Sequence, residues 1–203
     1  MKNSLLLVFF ALCFVSGCST LDNIYENSKS TTPTPPPAKE EYPEYKTNNY
    51  YDKFENYEIV ELIQNCVMEE KHSGTHYEYT ACGNIYFNIR KFVSESKSKN
   101  YYLKIIYADD TWMFVEADDG LILLVDGKND ILSAVVVKRD AEGRGITEIA
   151  TYEATKEFLK TLAHAKKIEL KLQGSKHFVT AELSPKNIAN IKRFYDEHVS
   201  EKK

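Results

Sequence analysis

Cys66, His72, His76 and Cys82 lie close together in the chain and carry its most versatile donor atoms. Two thiolates and two imidazoles can complete a tetrahedral zinc site. The spacing matches no known zinc motif, however, and His72 and His76 share a helical face only if a helix survives Gly74. The competing reading is a disulfide between Cys66 and Cys82, as expected for a cysteine pair in an oxidising compartment. Closing a loop of that size stabilises a fold by about 3 kcal/mol in the chain-entropy model. Cys66 as a buried free thiol on an apolar face is the third reading. The disulfide is the one carried forward.

Other constellations are weaker. Asp109, Asp110, Asp126, Asn129 and Asp130 could bring oxygens to a calcium ion if alternate turns of a meander meet at one end. Turns select the same residues for backbone reasons, and the spacing is not that of an EF-hand. His76-Tyr77-Glu78 and His164 could move protons, although a histidine near an alanine-containing helix end more often caps or packs. Lys97, Lys99 and Lys104 with Tyr101 and Tyr102 could receive an anionic glycan or lipid head group, or simply protect a strand edge. The sequence holds no Gly-x-Ser-x-Gly elbow, Gly-rich phosphate loop or His-Glu-x-x-His helix. No catalytic residue, metal ligand or cofactor is assigned.

These residues stand behind a distinctive N-terminus. Lys2 gives a positive start, Leu5 to Val15 is an unbroken apolar run, and Val15-Ser16-Gly17-Cys18 closes it with small residues and a cysteine. The run is shorter than the roughly 20 apolar residues that span a bilayer, so it reads as a cleaved signal peptide covering residues 1–17. The segment resembles the lipobox of bacterial lipoproteins. That resemblance implies a diacylglyceryl group on Cys18, removal of the preceding peptide and acylation of the new amino terminus. Ser19 resembles the pattern sorted to the outer membrane in Gram-negative envelopes. Two or three acyl chains anchor a protein stably, whereas one holds it reversibly. The alternative is an ordinary secreted protein cut near Gly17.

Residues 18–52 then read as a tether, with Thr31-Thr32-Pro33-Thr34-Pro35-Pro36-Pro37 at its centre and too few apolar residues to repay ordering. Proline favours extended polyproline II, a semi-rigid spacer. Tyr42, Tyr45, Tyr50, Tyr51 and Tyr57 are either an aromatic binding strip or the tether's packing onto the domain. Loss of Lys2 with the leader takes the formal charge from −4 to −5, which suggests no nucleic-acid surface.

Residues 53–203 form one globular domain by composition. Ile59, Leu62, Ile63, Cys66 and Val67 predict a helix from about Glu55 to Lys71. Five strand-like runs follow: Ile85 to Ile89, Tyr101 to Tyr107, Trp112 to Glu116, Leu121 to Val125 and Ala134 to Lys138. Asp119-Gly120 signals a type I′ turn, and Asp126-Gly127 leads into the next reversal. Arg139 to Gly145 reads as a turn and Ile146 to Ala150 as a strand. Thr151 can cap a helix to about Ala165, Ile168 to Leu183 reads as a hairpin, and Ser184-Pro185 opens a closing helix. The expected class is α+β: an antiparallel sheet with about three helices packed on it.

The expected role is a non-catalytic envelope module, bound to the membrane through its lipid and recognising an envelope protein or cell-wall polymer. The alternative is a small lipid-anchored hydrolase or metal-dependent enzyme with scattered residues.

Overall fold

The computed structural model describes residues 43–67, 70–73, 76–79, 84–143 and 145–201, all within the unit Lys39–Lys203. Cys18, Tyr42 and Cys82 lie outside the described residues. The strands in chain order are β1 (Lys46–Asp52), β2 (Tyr57–Ile63), β3 (Cys66–Val67), β4 (Glu70–Ser73), β5 (His76–Tyr79), β6 (Ile85–Ser94), β7 (Lys99–Asp109), β8 (Leu121–Val125), β9 (Lys128–Leu132), β10 (Ala134–Glu142), β11 (Gly145–Ala154), β12 (Ile168–Gln173) and β13 (Phe178–Glu182). Helix α1 (Lys156–His164) separates β11 from β12, and α2 (Pro185–Phe194) follows β13 and runs into a π-helical turn, Tyr195–Val199. The large antiparallel sheet has the order β1-β2-β6-β7-β11-β10, with β3 also on β6; the small one is β13-β12-β8-β9, and β4 and β5 form a ribbon.

The fold is therefore mainly antiparallel β with two helices among the described residues, which corrects the expected sheet under about three. The missing helix is the one predicted from Glu55 to Lys71, where the chain forms β2 and β3. Val60 and Leu62 enter the core from one face of β2, while Ile59 and Glu61 are buried on the other. A strand buried on both faces leaves an apolar run whose spacing mimics a helix. Gln64, at φ 56°, then breaks the chain between β2 and β3.

The expected meander is also divided. β6 and β7 belong to the large sheet, β8 and β9 to the small one, and β10 returns to the large sheet. Asp126 (φ 48°) and Gly127 (φ 84°) make the two-residue turn between β8 and β9, the reversal expected there, whereas Asp119-Gly120, read as a type I′ turn, leads into β8 from a non-strand segment and closes no hairpin. β10 runs to Glu142, so the turn read from Arg139 to Gly145 is shorter than its composition implied.

One core joins the layers. Phe87, Ile89, Leu103, Ile105, Ala150 and Tyr152 from the large sheet cluster with Leu121, Leu123, Leu170 and Leu172 from the small sheet, and with Leu159, Leu162, Ile191 and Phe194 from the helices. β11 outlasts its predicted end, so Thr155 rather than Thr151 caps α1, accepting from the Phe158 amide at 3.0 Å. Ser184 caps α2 with Pro185 behind it, and the Asn187 side chain accepts from the Ser184 amide at 3.0 Å in a capping box. Asn187 and Asn190 also donate to Asn65 Oδ1, a buried amide cluster that ties α2 to the link between β2 and β3. Lys91 donates from β6 to the His198 carbonyl at 2.7 Å, placing a cation at the end of the last helical turn, and burial pushes its ammonium pKa down.

The residues read as the end of the tether are part of this body. β1 pairs along its whole length with β2, Tyr45 donates to Glu197 at 2.8 Å beneath the Arg193 guanidinium, and Asn190 donates to the Pro43 carbonyl. Burial, with the Glu197 carboxylate beside it, raises the pKa of the Tyr45 hydroxyl. Tyr45 packs against the core as the bland reading of the tyrosine strip had it, while Tyr50 and Tyr51 are exposed on β1.

Removing the α2 cap tests this assignment. Ser184→Ala should cost about 1 kcal/mol of stability in urea unfolding, and an unchanged midpoint would show that α2 is held without its capping box.

Candidate functional site

Between β7 and β8 the chain leaves the large sheet through residues 110–120. Trp112 to Glu116 has the alternation of a strand, with Met113 and Val115 buried and Phe114 exposed. It is nevertheless not one, and among the described residues its ladder pairing is limited to an isolated bridge between Val115 and Gly174. The backbone donors of this stretch go instead to a side chain. Glu148, on the core-facing side of β11 and fully buried, accepts from the Met113 amide at 2.7 Å, the Phe114 amide at 2.8 Å and the Val115 amide at 2.7 Å. Arg139, opposite Glu148 on β10, donates Nε to the same carboxylate at 3.2 Å and a terminal nitrogen to the Val115 carbonyl at 2.7 Å.

A carboxylate removed from water is costly unless paired and fully hydrogen-bonded. Four donors meet that need at Glu148, and in return the anion fixes three successive amides of a segment that no sheet holds. The second wall comes from the turn after β12. Glu116 donates to the Gln173 carbonyl, while Ser175 and Lys176 donate to the carbonyls of Phe114 and Met113. Close approach demands glycine at two places. A Cβ on Gly174 would lie 2.2 Å from the Met113 carbonyl oxygen, and one on Gly120 would lie 2.0 Å from that of Glu116. The Tyr152 hydroxyl sits near Gly120, buried and without a hydrogen-bond partner among the described residues, and burial raises its pKa.

The loop displays aromatic surface. Phe114 has φ 57°, a left-handed conformation that costs a non-glycine residue about 1–2 kcal/mol. The residue is 38% exposed, and its ring stacks on Trp112 with centroids 5.7 Å apart and planes 28° from parallel and lies under the Arg139 guanidinium. Backbone strain of this kind gathers at binding sites, where surrounding structure over-determines it. Chemically the arrangement can stack and bind. Glu148 is too enclosed to touch a ligand.

The residues singled out in the sequence are dispersed. Asp109 accepts from Asn84 at 2.9 Å and from Tyr107 at 2.7 Å, and the Tyr107 oxygen lies 3.3 Å from His177 Nε2. Burial works to raise the Asp109 pKa, but the hydrogen bonds from Tyr107, Asp110 and Asn84 outweigh it and hold the carboxyl below its usual range. Asp126 serves the small sheet by accepting from the Lys166 and Lys167 amides, each at 2.9 Å. The five calcium candidates are thus divided between two sheets, and among the described residues no cluster of three or more His, Cys, Asp or Glu could hold a metal. His164 shares a 2.8 Å hydrogen bond with the Lys160 carbonyl, one turn back in its own helix. His72 and His76 sit on the two strands of the β4–β5 ribbon, so the helical face required for a zinc site does not form. Cys66 is fully buried on β3 and is not without a partner.

Lys97 occupies a turn at φ 62°, while Lys99, Tyr101, Tyr102 and Lys104 alternate along β7. β7 lies inside the large sheet, between β6 and β11, which corrects the reading of a lysine-protected edge. Glu148 and Arg139 went unnoticed in the sequence. The signal was present: Ile146, Ala150 and Tyr152 mark the inward parity of β11, and Glu148 is a charge at that parity.

No protein-family model, curated protein or solved structure matches this chain.

Trp112 is the only tryptophan, so its emission reports on the loop directly. Glu148→Gln should shift that emission to the red, raise its quenching by acrylamide and cost about 3 kcal/mol, since a buried amide donor would then face backbone donors. Unchanged quenching in a folded variant would show that the carboxylate does not hold the loop.

Proposed function

We propose that this chain is a bacterial envelope lipoprotein, acylated at Cys18 and held at a membrane, whose folded unit binds an envelope protein or cell-wall polymer without catalysing a reaction. The lipobox and the Pro/Thr-rich residues behind it support the location. In the folded unit the observation that carries the reading is Phe114, exposed on a strained backbone that Glu148 and Arg139 hold in place and stacked on the half-buried Trp112. Aromatic anchors on a fixed backbone bind with little loss of conformational freedom, and Trp and Arg are frequent energetic centres of interfaces.

The oxidising compartment that the lipobox implies also supports a disulfide between Cys66 and Cys82. We expect no free thiol at these positions in purified mature protein; two titratable thiols there would rule the bridge out.

Two measurements test location and binding separately. Cys18→Ala should move the protein from the membrane fraction to the soluble fraction, and absence of labelled palmitate in the wild-type protein would contradict acylation. Trp112→Ala should weaken in-cell crosslinking to an envelope protein, or co-sedimentation with purified cell-wall polymer, by about tenfold or more, the usual effect of losing a central aromatic anchor. Wild-type protein that engages neither, or a variant that engages them equally, would contradict a recognition role for the loop.

A further inference from the structure

The face of the large sheet turned away from the core carries a groove of about 330 Å³ across β6, β7, β11 and β10. Its apolar lining comes from Phe92, Tyr102 and Ile149, with the Phe92 and Tyr102 rings edge to face at 5.3 Å, and its rim on β10 from Val135 and Val136, which are 50% and 44% exposed. Three cations line the same groove: Arg90, Lys104 and Lys138.

Glu61 organises two of them. Its carboxylate, 4% exposed on the outward face of β2, accepts from Arg90 Nε at 2.8 Å and from Lys104 Nζ at 2.9 Å. Each of these cations keeps further N–H donors, because Glu61 uses one from each. Lys138 is exposed and makes no ion pair among the described residues. The groove's lining holds three positive charges and no acid, and of the nearby carboxylates Glu61 and Glu153 only Glu61 is paired with them among the described residues, which leaves a local excess of cations in a chain whose formal charge is −4. A local excess opposed to the protein's overall sign concentrates anions at that spot.

We propose that this groove binds a small organic anion, a carboxylate carried on an apolar chain or ring, with the apolar body over Phe92, Tyr102 and Ile149 and the charge between Lys104, Arg90 and Lys138. Size and recession decide against larger partners. The volume is at the lower end of those that enclose a small ligand, and the Arg90 and Lys104 side chains are only 24% and 16% exposed, too recessed for a flat bilayer surface to reach. The site is separate from the Trp112–Phe114 loop, so it stands whether or not that loop is an interface.

The test uses the full chain from residue 18 with Cys18→Ala, so that no acyl chain competes. Anilinonaphthalene sulfonate, a fluorescent amphipathic anion, is titrated at low salt and then displaced by decanoate or by decanol. Saturable one-to-one binding is expected, with displacement by decanoate at least tenfold more effective than by decanol. Lys138→Glu and Val136→Asp, both at exposed positions, should each weaken binding about tenfold with unchanged Trp112 emission. Equal displacement by decanol, unchanged binding in both variants, or binding to phosphatidylglycerol vesicles without binding to free decanoate would overturn the proposal.

Discussion

The carboxylate of Glu148 is the interaction around which the rest of the described structure is arranged. It sits at the inward parity of β11, where a valine would suit the core, and three amides of a non-sheet segment point at it. Without that anion, Met113, Phe114 and Val115 would carry buried or half-buried donors with no ladder to join, and each such orphan costs free energy comparable to a lost hydrogen bond. The segment it holds is also the passage between the two sheets. β7 ends in the large sheet, β8 begins in the small one, and the loop between them docks on Gly174 of the β12–β13 turn. One buried charge thereby fixes the passage from one sheet to the other.

Much of this was legible in the sequence, and each failure has a physical cause. Ser184-Pro185 announced α2 because capping chemistry is local, and the alternation of Ile168, Leu170 and Leu172 announced β12 because one of its faces is buried. Tyr57 to Val67 was misread because β2 is buried on both sides, so Ile59, Val60, Leu62 and Ile63 lose the period of two and recur at a spacing that also fits a helix. Trp112 to Glu116 was misread for the opposite reason. Its alternation is real, with Met113 and Val115 inside, but alternation reports burial and is silent on where the backbone hydrogen bonds go. Glu148 lies 32 residues beyond Glu116 in the chain, a distance that local patterns do not cross.

Two charged residues placed where apolar ones would pack, Glu148 within the core and Glu61 on the opposite face of the same sheet, perform related work. Each fixes positive partners at a defined position: backbone amides and Arg139 in the first case, Arg90 and Lys104 in the second. Replacing such groups by apolar residues of similar volume is often neutral or stabilising. Positioning is therefore the better account of their presence than stability. The surfaces they organise are an aromatic pair and a cationic groove.

The account stands on the loop being held by the Glu148 carboxylate, and amide hydrogen exchange of the wild-type protein measures that holding residue by residue. The amides of Met113, Phe114 and Val115 should exchange as slowly as those of Leu103 and Ile105 in the central strand β7, opening only with the whole fold. Exchange at those three amides as fast as at an exposed turn residue such as Asp118 would contradict it.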